Sequence, residues 1–460
     1  MAEPERRVDV DVVVAGAGAA GTSAALAAAQ GGASVVLLEA QETYRRGSNT
    51  AMSTSMIPAG GSRWQAAIGI EDSPGRFADD IRTKTKGAAD PVVTKALTQV
   101  APELVAWLAD IGGLPLELVT DFRYPGHSRD RCHAVPDRAG RTMHGHLLER
   151  VAASEAITLV VPMQLEDVEV EDGGVTAIVA SPDGARETIT TDAVVLATNG
   201  FGADSALVER HIPDIAAGTY HGGDGSRGDA LRIGRRLGAD VGYLDAYQGH
   251  GSLATPHEIL LTWATVMHGA ILVNTEGERF GDETEGYSEF GARVVAQPGA
   301  TAWMLFDERI DAACRPFADY QDLREAGAVR WAADVDALAK TTGTPVERLA
   351  VTLEHARQAA QGLRADDHGR RSFETPLTAP YAAVKVTGAL FHTQGGLHVD
   401  EHARVLAGGA PVTGLYAAGG AAVGISGHGA DGYLAGNGLL SALGLGYLAG
   451  RHLTQQQLPA

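Results

Sequence analysis

The stretch from Val8 to Ala40 constrains the fold more than any other part of the chain. Val8 to Val14 first alternates and then becomes continuously β-branched, as a strand entering a buried parallel sheet does. Behind it come Gly16, Gly18 and Gly21 in GAGAAG, an alanine-rich helical stretch closed by Gly31-Gly32, and the apolar run Val35 to Leu38. Strand, glycine turn, helix and strand in that order make a βαβ unit. The glycines allow a tight turn and let a pyrophosphate approach the helix N-terminus, where free N–H groups favour an anion. Glu39 ends the second strand eighteen residues beyond Gly21, placed to accept hydrogen bonds from an adenosine ribose. Gly16, Gly18, Ala19, Ala20, Gly21, Glu39 and Ala40 are therefore the candidate contacts of a dinucleotide. A second match, Gly223 to Gly228, has no apolar strand before it and reads as a helix-opening turn, which argues against a second nucleotide domain.

At 460 residues the chain has room for two or three domains of about 150 residues each. From Thr158 to Thr198, short β-rich runs separated by Asp172-Gly173-Gly174 and Pro182-Asp183-Gly184 predict a small antiparallel meander, ending in a buried strand over Ala193 to Ala197. The middle mixes strand-like runs (Ala270 to Val273, Ala302 to Phe306) with a helix that has Thr344 as N-cap, Pro345 at its first position and Glu347 closing a capping box. The last seventy residues return to strand, glycine turn and small-residue helix. The expected layout is an α/β Rossmann-like domain with a small antiparallel meander over 1–247 and 389–460, and an inserted α+β capping domain over 248–388.

Composition narrows the function. With 37 basic and 57 acidic residues the net charge is -20, which speaks against a nucleic-acid partner. Cys132 and Cys314 are too few for a disulfide framework, a CxxC pair or a cysteine zinc site, so no metal centre is expected and a reducing compartment is favoured. Apart from Val12 to Ala29, no stretch reaches the about 18 uninterrupted apolar residues of a membrane span. Arg6 and Arg7 before Val12 to Ala29 do not make a signal peptide, because Asp9, Asp11 and the glycines interrupt it. A cytoplasmic location is the expectation.

Further along the chain stand Gly47-Ser48-Asn49-Thr50, Ala197-Thr198-Asn199-Gly200-Phe201, Asp224-Gly225, Gly269 to Asn274 followed by Gly277-Glu278-Arg279-Phe280, His392-Thr393-Gln394-Gly395-Gly396, and Gly414 to Gly419. With GAGAAG and Glu39, these segments resemble the succinate dehydrogenase/fumarate reductase flavoprotein superfamily, which includes the 3-ketosteroid Δ1-dehydrogenases. The resemblance spans nearly the whole chain. It implies FAD, a capping domain inserted in the flavin domain and a substrate held between them. It adds Ser48, Asn49, Thr50, Ala197, Thr198, Asn199, Gly200, Asp224, Gly419, Gly420, Asn437, Gly438, Leu439 and Leu440 as FAD contacts. Members with covalent FAD use a histidine shortly after the segment matching Gly47 to Thr50; residues 45–65 contain none, so the FAD is expected to be non-covalent.

Departures from the family pattern shape the expected chemistry. Where fumarate reductases carry a proton-delivering arginine this chain has Tyr287, and Trp263 and Val266 occupy the positions of the acid and arginine that relay protons to it. The ketosteroid dehydrogenases resemble the chain here, with a tyrosine that removes a proton next to a carbonyl. Tyr433 stands where those enzymes polarise a ketone oxygen, assisted by free N–H groups at Gly436, Asn437 and Gly438. His250 and His392 match positions where fumarate reductases grip a substrate carboxylate, and Tyr124 is a candidate for the same cleft. The expected activity is FAD-dependent desaturation of a ketone, with Tyr287 as base, on a small cyclic keto acid such as a 4-oxocyclohexanecarboxylate-like ring. Alternatives are reduction of a fumarate-like unsaturated acid, for which no proton donor is evident, 3-ketosteroid Δ1-dehydrogenation, and a FAD subunit serving mainly electron transfer. The sequence leaves the external electron acceptor and the oligomeric state open.

Overall fold

The computed structural model describes residues 9–171 and 174–455. Val8 and the Asp172-Gly173 part of the expected meander turn lie outside them. Two compact units emerge. The first comprises residues up to Leu207, Gly222–Tyr247 and His392 onward; the second comprises Val208–His221 and Gln248–Phe391. The second thus includes Val208–His221, which the sequence assigns to the first domain. The reason is a short parallel pairing, Thr219 and Tyr220 with Ala389 and Leu390, that only the strand ladder reveals.

The first unit is built on β1 (Val10–Ala15), α1 (Ala19–Gln30) and β2 (Val35–Leu38). β1 pairs in parallel with β2 on one side and with the strand Arg186–Leu196 on the other. The sheet continues to Ile157–Val160 beyond β2, and to Ala410–Ala417 and Arg404–Ala407 beyond Arg186–Leu196. Strands Gln164–Glu171 and Gly174–Ala180 form the expected meander: the second runs antiparallel to the first half of Arg186–Leu196, whose last residues rejoin the parallel sheet. Val12, Val13, Val14, Val194, Val195 and Leu196 are all at or near zero exposure, as continuous apolar strands between helical layers should be.

The C-terminal helix, Asn437–Gln455, lies along α1 with almost no side-chain volume between the two backbones. A Cβ added at Gly446 would stand 2.3 Å from the Ala20 carbonyl oxygen, and one at Gly450 would stand 2.5 Å from that of Ala24. Ser23 Oγ donates to the Leu443 carbonyl at 2.8 Å within this seam.

The second unit centres on the long strand Tyr381–Thr393, paired antiparallel with Thr301–Asp307, which in turn pairs with Ile271–Val273. Tyr247–Ala254 lies on its other side. Helices Val335–Thr342 and Val346–Ala360 bury Leu338, Leu349 and Leu353 against Ile271, Trp303, Leu305 and Phe373. The helix start differs from expectation. Pro345 has extended ψ (121°) and is itself the N-cap, without a side-chain cap, while Thr344 Oγ1 bonds to Thr342 Oγ1 at 2.8 Å and is unavailable for a capping box.

The helix seam sets a clear expectation. Gly450→Val drives a carbon bearing two methyl groups into the α1 backbone and should destabilise the protein by at least the about 1 to 3 kcal/mol typical of overpacking. Gly145→Ala, in a helix position with nothing within 4 Å of the new Cβ, should be neutral or stabilising. Urea unfolding of the two variants, with equal midpoints as the contrary result, checks the seam.

Candidate functional site

The cradle at the start of α1 is assembled by backbone donors. Glu39 Oε2 accepts the Ala17 N–H at 2.9 Å and Oε1 accepts that of Gln41 at 2.8 Å. Burial raises the Glu39 pKa, and these N–H bonds oppose the rise. Thr50 Oγ1 accepts the Ala19 N–H at 2.8 Å, and Asn49 Oδ1 accepts that of Gly223 at 2.6 Å, so the 48–50 and 223–226 turns are tied together at the helix start. Gly16 has φ +108°, and a Cβ there would meet the Ala197 carbonyl at 2.4 Å; only glycine lets the turn and the Ala197–Gly200 segment close up. Asn199, itself at φ +63°, donates to Ser226 Oγ at 2.8 Å, and Gly420 packs against it. Asp224 is exposed on its turn, while Ser48 Oγ accepts the Ala51 N–H at 3.2 Å.

Two buried atoms in these segments, Thr198 Oγ1 and Asn437 Oδ1, have no hydrogen-bond partner in the protein. Together with a glycine cradle at a helix N-terminus they fit FAD, whose pyrophosphate would lie at α1 and whose ribose would meet Glu39. His144 was not anticipated. It sits on the helix Gly140–Ala152, with Nε2 at 2.7 Å from the Ala17 carbonyl and Nδ1 buried without a partner, and no motif in the sequence marks it.

A second constellation of the first unit lies at the start of the C-terminal helix. The rings of His392 and Tyr433 meet edge to face, with centroids 5.8 Å apart. The Gly438 N–H donates to Tyr433 Oη at 3.4 Å, and a Cβ on Gly438 would stand 2.7 Å from His392 Nε2. Imidazole and phenol thus converge on the space beside Gly438, and each can donate to an oxygen there. Burial holds the His392 pKa down to about 4, so the ring is neutral at pH 7. The expectation of free N–H groups needs correction: that of Asn437 is spent on the Leu434 carbonyl at 3.0 Å and that of Gly438 on Tyr433. Gly436 (φ +85°) is pressed against Pro58 and the Met56 carbonyl. Tyr124 packs on Met56, Val119, Cys132 and Ala134, and burial raises its pKa.

His250 and Tyr287 belong to the second unit. Their rings stack at 4.8 Å and 22°, and Phe391 stacks on His250 at 5.2 Å with Trp263 edge-on at 5.6 Å. Ser252 meets His250 Nδ1 through its N–H (3.3 Å) and hydroxyl (3.1 Å). Burial drives the His250 pKa down to about 3, so the ring is neutral at pH 7. Tyr287 opens the helix Tyr287–Val295 just after a turn held by buried charges. Glu283 is fully buried and pairs with Arg279 at 2.7 Å and Arg370 at 3.0 Å; Arg279 also pairs with Asp366. Arg370 additionally donates to the Ala270 and Val266 carbonyls, so every charge in the cluster is satisfied. Among the described residues no group of side chains is arranged to hold a metal ion, and no helix is long and apolar enough to cross a membrane.

Fold and cradle together define a dinucleotide-binding flavoprotein. The chain matches the FAD binding domain family over residues 11–439 and belongs to it, within the succinate dehydrogenase/fumarate reductase flavoprotein superfamily; it is an FAD-binding oxidoreductase whose cofactor is held non-covalently. It is 28% identical to an NADH:fumarate oxidoreductase of Klebsiella pneumoniae (strain 342), over 97% of this chain but only 48% of that protein, so it spans about half of that relative. It is 29% identical to a fumarate reductase (cytochrome) of Shewanella frigidimarina, covering 96% of this chain and 76% of the relative. A 4-oxocyclohexanecarboxylate 2-dehydrogenase of Sinomonas cyclohexanicum is 26% identical over 98% of this chain and 94% of that protein. The solved open conformation of a flavocytochrome c3 fumarate reductase superposes with a TM-score of 0.81 at 27% identity, covering 98% of this chain and 79% of that one.

Glu39→Ala removes the acceptor of the Ala17 and Gln41 N–H groups and the carboxylate expected to meet the FAD ribose. Loss of a charge-assisted hydrogen bond predicts FAD binding weaker by about 10 to 150-fold. Titration of the apoprotein with FAD, followed by flavin fluorescence, checks this; unchanged affinity removes Glu39 from the cradle.

Proposed function

We propose that the protein uses FAD to reduce the carbon-carbon double bond of a small α,β-unsaturated carboxylic acid. The observation that carries the reading is the convergence of two neutral donors, His392 and Tyr433, beside Gly438 in the unit that holds the FAD cradle. Donors so placed hold the carboxyl or carbonyl oxygen of a conjugated system and stabilise the negative charge that gathers on it as hydride adds to the β-carbon. Reduced FAD, when bound, supplies that hydride.

Tyr287 supplies the proton to the α-carbon. A tyrosine O–H can donate a proton directly, whereas service as a base requires its prior ionisation. In this reading the proton donor is Tyr287, at the position that the resemblance gives to an arginine. The fumarate-reducing relatives support the same direction. A second reading is the reverse reaction on a cyclic keto acid. It is favoured by the neutrality of both histidines, which suits a ketone oxygen as well as a carboxylate, and by the 4-oxocyclohexanecarboxylate dehydrogenase relative.

The test pairs two assays of the FAD-loaded protein: oxidation of a reduced dye by fumarate and other unsaturated acids, and reduction of an artificial acceptor by cyclic keto acids. The reductive assay should be the faster. Tyr287→Phe keeps the ring stacked on His250 and should retain FAD, while reductive turnover drops by about 100-fold or more, as for loss of a general acid. A drop of less than about tenfold takes Tyr287 out of the reaction, and faster keto-acid oxidation replaces the first reading with the second.

A further inference from the structure

Gln394 has no part in the chemistry described so far, yet its side chain is buried between His392 and Ser426. Its backbone is clamped on both sides: its N–H donates to the Ala246 carbonyl at 2.7 Å, and its own carbonyl accepts the Gly424 N–H at 2.8 Å. A directional chain of side-chain hydrogen bonds runs through it. Asn437 Nδ2 donates to Ser426 Oγ at 3.3 Å, Ser426 Oγ donates to Gln394 Oε1 at 3.1 Å, and Gln394 Nε2 donates to His392 Nδ1 at 2.9 Å.

We infer that Gln394 is a positioning residue that holds His392 in the tautomer with its proton on Nε2, so that the ring presents a neutral N–H donor to the substrate oxygen. The step is one of counting hydrogens. Ser426 has a single hydroxyl proton; with that proton on Oε1, the amide must turn its NH2 toward the imidazole, and Nδ1 can then only accept. The proton of a neutral ring goes to Nε2, the atom facing Gly438. The competing arrangement, with the proton on Nδ1 and donated to the Thr393 carbonyl, has a longer contact of 3.4 Å and would turn the Gln394 amide round, so that the Ser426 hydroxyl proton loses its acceptor. The amide acts as a carboxylate would in orienting the ring, but without the negative charge that would draw a second proton onto it.

The substrate half of this inference rests on the proposed role of His392; the tautomer half does not. The experiment is nitrogen NMR of the FAD-loaded protein labelled with 15N-histidine, recorded at neutral pH without substrate for the wild type, Gln394→Glu and Gln394→Met. The His392 signals, assigned by their loss in His392→Gln, should show a bare Nδ1 and a protonated Nε2 in the wild type. Gln394→Glu should protonate both nitrogens. Gln394→Met, of similar volume and without a donor, should give mixed tautomers, and serves if the glutamate variant fails to fold. A wild-type proton on Nδ1, or a tautomer indifferent to both substitutions, overturns the inference. In the reductive assay Gln394→Glu should also strengthen the preference for an unsaturated carboxylate over its neutral amide by about tenfold or more, because the new imidazolium favours an anion. If the NMR result holds and this preference stays unchanged, the tautomer assignment stands and the substrate role of His392 fails.

Discussion

The backbone contact between α1 and the C-terminal helix organises the first unit. Gly446 opposes Ala20 and Gly450 opposes Ala24, so the two helices run in the same direction. Asn437 lies nine residues before Gly446, which at 1.5 Å per residue carries the start of the C-terminal helix about 14 Å past Ala20 along its axis. One helix begins at the dinucleotide cradle and the other at the His392, Tyr433 and Gly438 cluster. A cofactor whose reactive ring is separated from its pyrophosphate by a ribityl chain would need that kind of offset, and two helices without intervening side chains set it.

Desolvation then decides the electrostatics. His250 and His392 are neutral because burial opposes their charging. Charge is concentrated instead in the Arg279, Glu283, Arg370 and Asp366 cluster, where every member has an opposite partner. That cluster anchors the turn ahead of Tyr287 and leaves the neighbouring aromatic stack uncharged. An oxygen held by neutral donors is stabilised most as it gains charge during the reaction, which favours the transition state over the ground state.

Much of this was legible in the residues. The βαβ unit announces itself because periodicity, glycines and an acid at a set distance all report one local structure; that Glu39 also takes the Ala17 N–H just ahead of α1 was not readable from that pattern. The small-residue helix was visible too, though its partner was not, since a glycine shows that something approaches and never what. What escaped depends on contacts distant in sequence. His144 reaches the Ala17 carbonyl across 127 positions, and Thr219-Tyr220 pairs with residues near 390. Thr344 has the composition of an N-cap but spends its hydroxyl on Thr342. Gln394 stood inside a motif that was recognised, yet its function lies in the orientation of an amide, which a one-letter code does not carry.

The central claim is that His392 and Tyr433 together hold the oxygen of the substrate. A crystal structure of the FAD-loaded protein with a saturated, unreactive dicarboxylic acid tests it most directly. One oxygen of the acid should lie at hydrogen-bond distance, about 2.6 to 3.2 Å, from both His392 Nε2 and Tyr433 Oη. An acid bound through other residues, with those two donors turned away from it or left to solvent, would contradict the account.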